Sequence, residues 1–441
     1  MPRAISNDVL ALKLAESLAA RPPRLTARDV RLPNVAGKAL AVIGVRRGGK
    51  TSLLHRHIAD RLEAGDDPDT HLLISLEDER LVGMTAEDLG WMLEEHRRVA
   101  AAVREHSRRI VYLDEVQVVP GWEAVVRRLL DAHDTEVFVS GSSAKLLSTE
   151  VHTSLRGRSM EVLVHPFSFR ESLRHAGDEP NTPWHGMRPD RRAAIDASLR
   201  RYLTTGGFPE AQGIDALDRF PLLKGYVDLM LLRDVIERHR VTNVEALRRL
   251  QRHLLSNPAT AFSVSKFHRD LRSQALPVAE ETLHHMLSHL EDAFMIRLVT
   301  MHTASERQRM RNPRKVYPVD PGLIPVFERG GREHRGRSLE TAVVIELERR
   351  AYDVGWVRVG ADLEVDVYAE HPVDEPLLVQ VSLDTVEEAT WDREVRALAA
   401  ASEAYPDARP LLLTLDPTPP SRPLPGRLEW APASRWLLDG A

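Results

Sequence analysis

Continuous apolar runs alternate with amphipathic stretches along the first third of the chain. "ALAVIG" is apolar without interruption, as a buried strand requires, and "KTSLLHRHIADRLEA" behind it has the spacing of a helix with one apolar face. "HLLISLE", "RIVYLDE", "TEVFVSG" and "SMEVLVHP" predict four further strands, while "AEDLGWMLEEHRRVAAAVREH" and "GWEAVVRRLLDAH" predict two further helices. This alternation predicts a parallel sheet with helices on both faces. "HAGDEPNTPWHGMRPDRR" breaks the pattern and reads as a loop or linker. Residues 190–240 read as helical, and 243–325 as a second helical block ending in a basic hairpin. From "GRSLETAVVIELERR" a new α/β pattern begins, and the tail "DPTPPSRPLPGR" reads as extended. The expected division is an α/β core over 1–175, a helical segment over 190–240, a helix-and-hairpin region over 241–330 and a small α/β domain over 331–441.

Charge and composition narrow the partners. The net charge of −5 supplies no global basic field, so a nucleic-acid contact would need a local patch. The chain has no cysteine, which excludes disulfides, thiolate zinc sites and cysteine nucleophiles and fits a reducing cytoplasm. The opening stretch carries Asp8, Lys13 and Glu16 among its apolar residues, as an amphipathic helix does and a signal peptide does not. No apolar run reaches the ~20 residues that span a bilayer, so no membrane partner is expected. There are seven lysines against 53 arginines, which makes each lysine position informative.

Between the first strand and the first long helix lies "GVRRGGKTSLL", in which Gly44-x-x-x-x-Gly49-Lys50-Thr51 satisfies the Walker A pattern. Its glycines let backbone N–H groups turn inward around phosphate oxygens, and the helix start adds the positive end of its dipole. Lys50 is expected on the β- and γ-phosphates and Thr51 on Mg²⁺. Arg46, Arg47 and Gly48 complete the loop, and Ser52 follows it, giving eight candidate contacts for ATP. "RIVYLDE" delivers Asp114, the second candidate magnesium residue, to the end of an apolar strand. Glu115 is then placed to polarise an attacking water. "VFVSGSS" should neighbour the strand of Asp114 or that of the glycine loop, so Ser140 and Ser142 are candidate γ-phosphate sensors, or else helix caps. In "SLRGRSMEV", Arg156 and Arg158 are candidates for a cation that offsets charge developing on the phosphoryl group.

In the middle region "VEALRRLQRHLLSN", "SVSKFHRDLRSQ" and "AEETLHHMLSHLEDAFMI" read as three helices, with "MIRLVTMHT" and "KVYPVD" as strands. Leu283, Met286, Leu287 and Leu290 form the core stripe of the third helix. Glu280 and Glu281 at its start would repel phosphate, so base reading by that helix is not expected. The hairpin is different: Arg307, Arg309, Arg311, Arg314 and Lys315 could follow a nucleic-acid backbone without reading sequence. His285 and His289 stand four apart with no evident third ligand, which argues against a metal.

Together "GVRRGGKTSLL", "YLDEVQVVPGWE", "SGSSAKLLSTEVHTSLRGR" and "HPFSFRE" resemble one group of prokaryotic AAA+ ATPases, additional-strand P-loop proteins similar to the archaeal-type ATPases. "YLTTGGFPEA", "LLRDVIERH", "LEDAFMI", "NPRKVYPVDPGL", "SLETAVVIELERR" and "VQVSLDTVEEATWDREVRAL" extend the resemblance over about residues 35–415. It implies a P-loop NTPase sheet with a helical lid, then a winged-helix region, then a small restriction-endonuclease-like α/β domain. It also implies Mg·ATP hydrolysis by a homo-oligomer, a hexamer among the sizes allowed, with the arginine acting on a neighbouring subunit. Two alternatives are a nucleotide-controlled switch for a protein partner and an ATP-dependent nuclease. The nuclease-like fold places a helix glutamate, a strand aspartate and a Glu/Gln-x-Lys pair around a metal. Glu340, Asp366 and Gln380 match, but Ser382 stands at the lysine position, Lys315 is the last lysine, and Arg393 would make a poor base. The expectation is a nuclease-like fold without nuclease chemistry.

Overall fold

The computed structural model describes residues 5–103, 108–142, 155, 157–303, 313–327, 333–360 and 362–439. They fall into two compact units, Met1–His165 and Pro166–Ala441. In the first, strands β1 (Ala39–Ile43), β2 (His71–Ser75), β3 (Arg109–Asp114), β4 (Thr135–Gly141) and β5 (Ser159–Leu163) form one parallel sheet in the order β2-β3-β4-β1-β5. The three central strands are buried along their whole length, and the edge strands β2 and β5 only in part. That is why the apolar runs of the central strands are unbroken. Helices α1 (Asn7–Ala19), α2 (Lys50–Glu63), α3 (Ala86–Val103) and α4 (Trp122–Asp131) accompany the sheet. Leu53, Leu54 and Ile58 of α2 share a core with Leu40, Val42, Tyr112 and Phe138, each contributing about 2–3 kcal/mol of burial. Strand β4 lies between the strand of Asp114 and that of the glycine loop, so it neighbours both.

The second unit begins with α5 (Phe169–Ala176), entered through a capping box between Ser168 and Glu171. Helices α6 (Pro189–Thr205) and α7 (Ala216–Met230) follow, and α7 runs on into a π-helical segment, Leu231–Glu237. The stretch read as a loop or linker between α5 and α6 is packed chain: Trp184 and Met187 are buried with Phe169, Leu173, Ile195 and Leu199. Next come α8 (Val244–Ser256), β6 (Thr260–Phe262), α9 (Val264–Ser273), α10 (Glu280–Asp292), β7 (Ile296–Val299) and β8 (Arg314–Pro318). Strand β8 is the middle of a three-stranded antiparallel sheet, β6-β8-β7. Leu283, Met286, Leu287 and Leu290 are buried, as their spacing predicts. Helix α11 (Glu333–Arg349) leads into β9 (Asp353–Val359), β10 (Leu363–Glu370), β11 (Leu377–Ser382), α12 (Glu388–Ala404), β12 (Arg409–Thr414), β13 (Glu429–Pro432) and α13 (Ala433–Leu438). These strands form a mixed sheet, β13-β12-β11-β10-β9, antiparallel from β9 to β11 and parallel from β11 to β13. No helix among the described residues is long and apolar enough to cross a membrane.

"TTGGFPEA" and "VDPGL" meet in this unit. The fully buried Asp320 accepts N–H bonds from Gly207 (2.6 Å) and Gly322 (2.9 Å). A β-carbon on Gly207 would lie 2.0 Å from the Phe167 carbonyl oxygen, so no side chain fits there. Burial pushes the Asp320 carboxyl up to about 6 against the pull of those two donors. The folded state therefore takes up its proton more readily than the unfolded chain. The associated stability is full below the ordinary aspartate range and is lost as pH rises through about 6. Asp320→Asn removes this component. The stability difference between wild type and variant is expected to shrink by roughly 1–1.5 kcal/mol between about pH 5 and pH 7.5. Denaturant unfolding of both proteins at the two pH values measures it, and a pH-independent difference would contradict the assignment.

Candidate nucleotide site

Parallel pairing brings the C-terminal ends of β1, β3 and β4 to one edge of the first sheet, with Ile43 opposite Gly141 and Leu113 opposite Val139. The glycine loop leaves β1 there. At Gly44, φ is 146° and an added β-carbon would lie 2.2 Å from the Val164 carbonyl oxygen, so the loop can turn this tightly only with glycine. Gly49, at φ 99°, caps α2, and Arg47 takes the left-handed conformation at φ 65°. Lys50 is buried and donates to the carbonyl oxygens of Gly44 (3.0 Å) and Val45 (3.2 Å). Thr51 and Ser52 are exposed in the first turn of α2. One brace escaped the sequence reading: Arg28 donates to the carbonyl oxygens of Gly48 (3.3 Å) and His165 (2.6 Å). It precedes β1 in an irregular stretch whose pattern carries no sign of that contact.

Asp114 closes the opposite wall. The Thr51 hydroxyl donates to its Oδ2 at 2.9 Å, the Ser140 hydroxyl donates to its Oδ1, and Ser140 Oγ accepts the Glu115 N–H at 3.1 Å. Burial pushes the Asp114 carboxyl above its ordinary range, and the Ser140 and Thr51 hydroxyls pull the other way. Glu115 turns out of the strand at φ 55°, a conformation that costs a non-glycine residue energy, and this sets its Oε1 3.9 Å from Lys50 Nζ. Ser142 accepts from Arg46 at 3.4 Å, and Arg46 also reaches Glu77 at 3.3 Å. The two serines thus differ: Ser140 fixes the Asp114–Glu115 turn, and Ser142 meets the glycine loop through Arg46. The Thr51–Asp114 oxygen pair is a donor set suited to magnesium, which would offset charge on phosphate oxygens there.

Arg156 lies outside the described residues. Arg158 stands just before β5, where its carbonyl accepts the Ala39 N–H at 2.9 Å. That is the other end of β1 from the glycine loop, a five-residue strand or roughly 16 Å away. Its half-exposed guanidinium pairs with Asp131.

A second polar cluster corrects two expectations about Lys315. This residue is not an exposed cation of the hairpin; it is 3% exposed, with Nζ 3.2 Å from Glu340, 3.0 Å from Glu364 and 3.3 Å from Asp366. The C-terminal carboxylates therefore do have a lysine, supplied from upstream by β8. Strand alternation puts Tyr317 on the same face, and its hydroxyl donates to Glu340 at 2.7 Å. Gln380 donates to Asp366 Oδ2 at 2.8 Å and to Glu394, while its oxygen accepts the Asp366 N–H at 3.3 Å. Arg393 pairs with Glu394. Burial, then the Asp366 charge, pushes the Glu340 carboxyl up to about 7. Of the remaining hairpin cations, Arg314 is exposed at the start of β8, and Arg307, Arg309 and Arg311 lie outside the described residues.

Residues 36–173 match the family described as AAA domain, and residues 196–330 match a family described as a domain of unknown function. An uncharacterized protein of Methanocaldococcus jannaschii is 29% identical over 389 residues, covering 87% of this chain and 82% of the relative. An uncharacterized protein of Haemophilus influenzae is 29% identical over 350 residues, covering 78% and 82%. A solved Walker-type ATPase of Pyrococcus abyssi is 18% identical, with a TM-score of 0.40, covering 74% of this chain and 96% of its own. The stretch 36–173 that matches the AAA-domain family carries the five-stranded parallel sheet and glycine loop of a P-loop NTPase α/β fold.

Proposed function

We propose that this protein is a Mg·ATP-dependent ATPase that hydrolyses ATP to ADP and phosphate as a homo-oligomer. The observation that carries the reading is the convergence of Lys50, Thr51, Asp114 and Glu115 at one sheet edge, with Lys50 3.9 Å from Glu115 and Thr51 2.9 Å from Asp114. In this reading Lys50 and the loop N–H groups hold the phosphates, and Thr51 and Asp114 would hold the magnesium shell. Glu115 takes the proton of the attacking water. Arg158 sits too far along the sheet to reach the nucleotide of its own chain, which favours its acting on a neighbouring copy.

Subunit mixing tests the oligomer. Arg158→Ala and Glu115→Gln are each expected to lower turnover about a hundredfold or more. Mixing the two is expected to restore measurable activity, because one interface then pairs an intact Glu115 with an intact Arg158. Two inactive preparations that stay inactive when mixed, while still co-assembling by size-exclusion chromatography, would exclude the arrangement in trans.

The region α8–β8 has the order helix, strand, helix, helix, strand, strand, which supports the winged-helix reading. A docking or assembly role is proposed for the C-terminal sheet, because Gln380 would offer a metal a neutral oxygen where a carboxylate binds harder. The lysine that this segment lacks is supplied by β8, with Lys315 Nζ 3.2 Å from Glu340 and 3.3 Å from Asp366, and metal-dependent cutting of DNA that Asp366→Ala abolishes would overturn the assembly role.

A further inference from the structure

His289, one of a histidine pair with no evident third ligand in the sequence, is brought by the fold to two other donors, His239 and Asp292. His289 and Asp292 are three apart on α10 and share a face. The core stripe Leu283, Met286, Leu287 and Leu290 fixes the rotation of that helix. His239 comes from the helical segment that continues α7, 50 residues earlier. That segment stops at Arg240, whose φ is 51°, and the Val241 N–H turns back to the Ile236 carbonyl oxygen at 3.1 Å. The stop fixes where His239 lies. The rings of His239 and His289 stack with centroids 3.7 Å apart and planes 11° apart. One donor atom each from His239, His289 and Asp292 lies within 4.8 Å of the other two. The ring of His285, one turn back on α10, stacks at 6.4 Å from that of His289.

We propose that His239, His289 and Asp292 bind one divalent transition-metal cation of the zinc type. Two imidazoles and a carboxylate suit zinc, and the preference of magnesium and calcium for all-oxygen sites argues against either. Nitrogens about 2.05 Å from a tetrahedral ion stand roughly 3.3 Å apart, so the present donors need to close by no more than about 1.5 Å. Each imidazole must also turn about χ1 and χ2 to aim its nitrogen at the ion, because the stacked rings are within 11° of parallel. His285 is the side chain placed to supply a fourth donor, since its ring faces His289 one turn back on α10 and is 67% exposed, with Glu281 at 3.8 Å. The ion would clip the end of the segment that continues α7 to α10.

The full chain, freed of metal by chelator dialysis, is titrated with Zn²⁺ by calorimetry and with Co²⁺ by visible absorption. One equivalent of either ion is expected to bind and raise the melting temperature, and Mg²⁺ at the same concentration is not. The chain has 19 histidines, so variants must separate this site from adventitious binding. His289→Ala, His239→Gln and Asp292→Asn are each expected to weaken the single tight site at least about tenfold, with the far-ultraviolet spectrum unchanged. Asp292→Asn keeps the shape of the side chain, so it still reports if a histidine variant fails to fold. A wild-type protein that takes up no stoichiometric Zn²⁺ overturns the proposal. So does a tight site that survives in both His239→Gln and Asp292→Asn.

Discussion

Glu115→Gln is expected to lower ATP turnover by about 10²–10⁴-fold while leaving Mg·ATP affinity within about threefold of wild type. The substitution keeps the shape of the side chain and removes its capacity to take a proton. Little else in the site should move. Lys50 is held mainly by the Gly44 and Val45 carbonyl oxygens at 3.0 and 3.2 Å, with Glu115 a further neighbour at 3.9 Å. The Glu115 N–H still bonds Ser140, which still bonds Asp114. A glutamine oxygen can still accept from Gln117, the present donor to Glu115. A fall in kcat with binding preserved is the signature of an interaction needed only in the transition state. Phosphate release and nucleotide-binding fluorescence measure the two quantities separately. Turnover at the wild-type rate would remove Glu115 from the chemistry, and lost binding would make it a structural support of the loop.

The glycine-loop edge of the first sheet was legible because both of its signals are local. A glycine loop between an apolar run and an amphipathic helix has a pattern of its own, and a fully buried strand ending in two acids is just as visible in the sequence. What stayed hidden was tertiary. Strand β6 is three residues long, too short for any period to show. Trp184 and Met187 stand in a polar, proline-bearing stretch that reads as loop, yet both are buried in the core of the second unit. Gly207 and Asp320 are 113 residues apart, and only the packed structure explains why both stretches are glycine-rich. His239 meets His289 across a similar gap. Lys315 was misread for a different reason: it ends a run of arginines, and the run as a whole looks solvated. The missed signal was the spacing of Lys315 and Tyr317, two apart in a strand and hence on one face.

That misreading makes Lys315 a sharp test of the second unit. Lys315→Met leaves a side chain of similar length and deletes the one lysine that faces Glu340, Glu364 and Asp366 among the described residues. Breaking a buried pair from one side leaves uncompensated charge, at a cost of about 3–5 kcal/mol. For a unit of this size, that lowers the melting temperature by roughly 10 °C. The loss should depend on pH, with a sign set by Glu340. Burial already pushes its carboxyl up to about 7, and removing the ammonium pushes it higher. A raised carboxyl favours the folded state below its ordinary pKa, and that advantage disappears as pH rises through the folded value. The deficit of the variant should therefore be smaller near pH 5 than near pH 8. Adding Asp366→Asn removes one of the crowded charges and should return part of the lost stability. Were Lys315 a solvated cation of the hairpin, the substitution would leave the melting temperature unchanged at every pH and alter only salt-sensitive binding to polyanions. Thermal unfolding across that pH range distinguishes the two, because a buried counter-charge and a surface charge differ here by several kcal/mol.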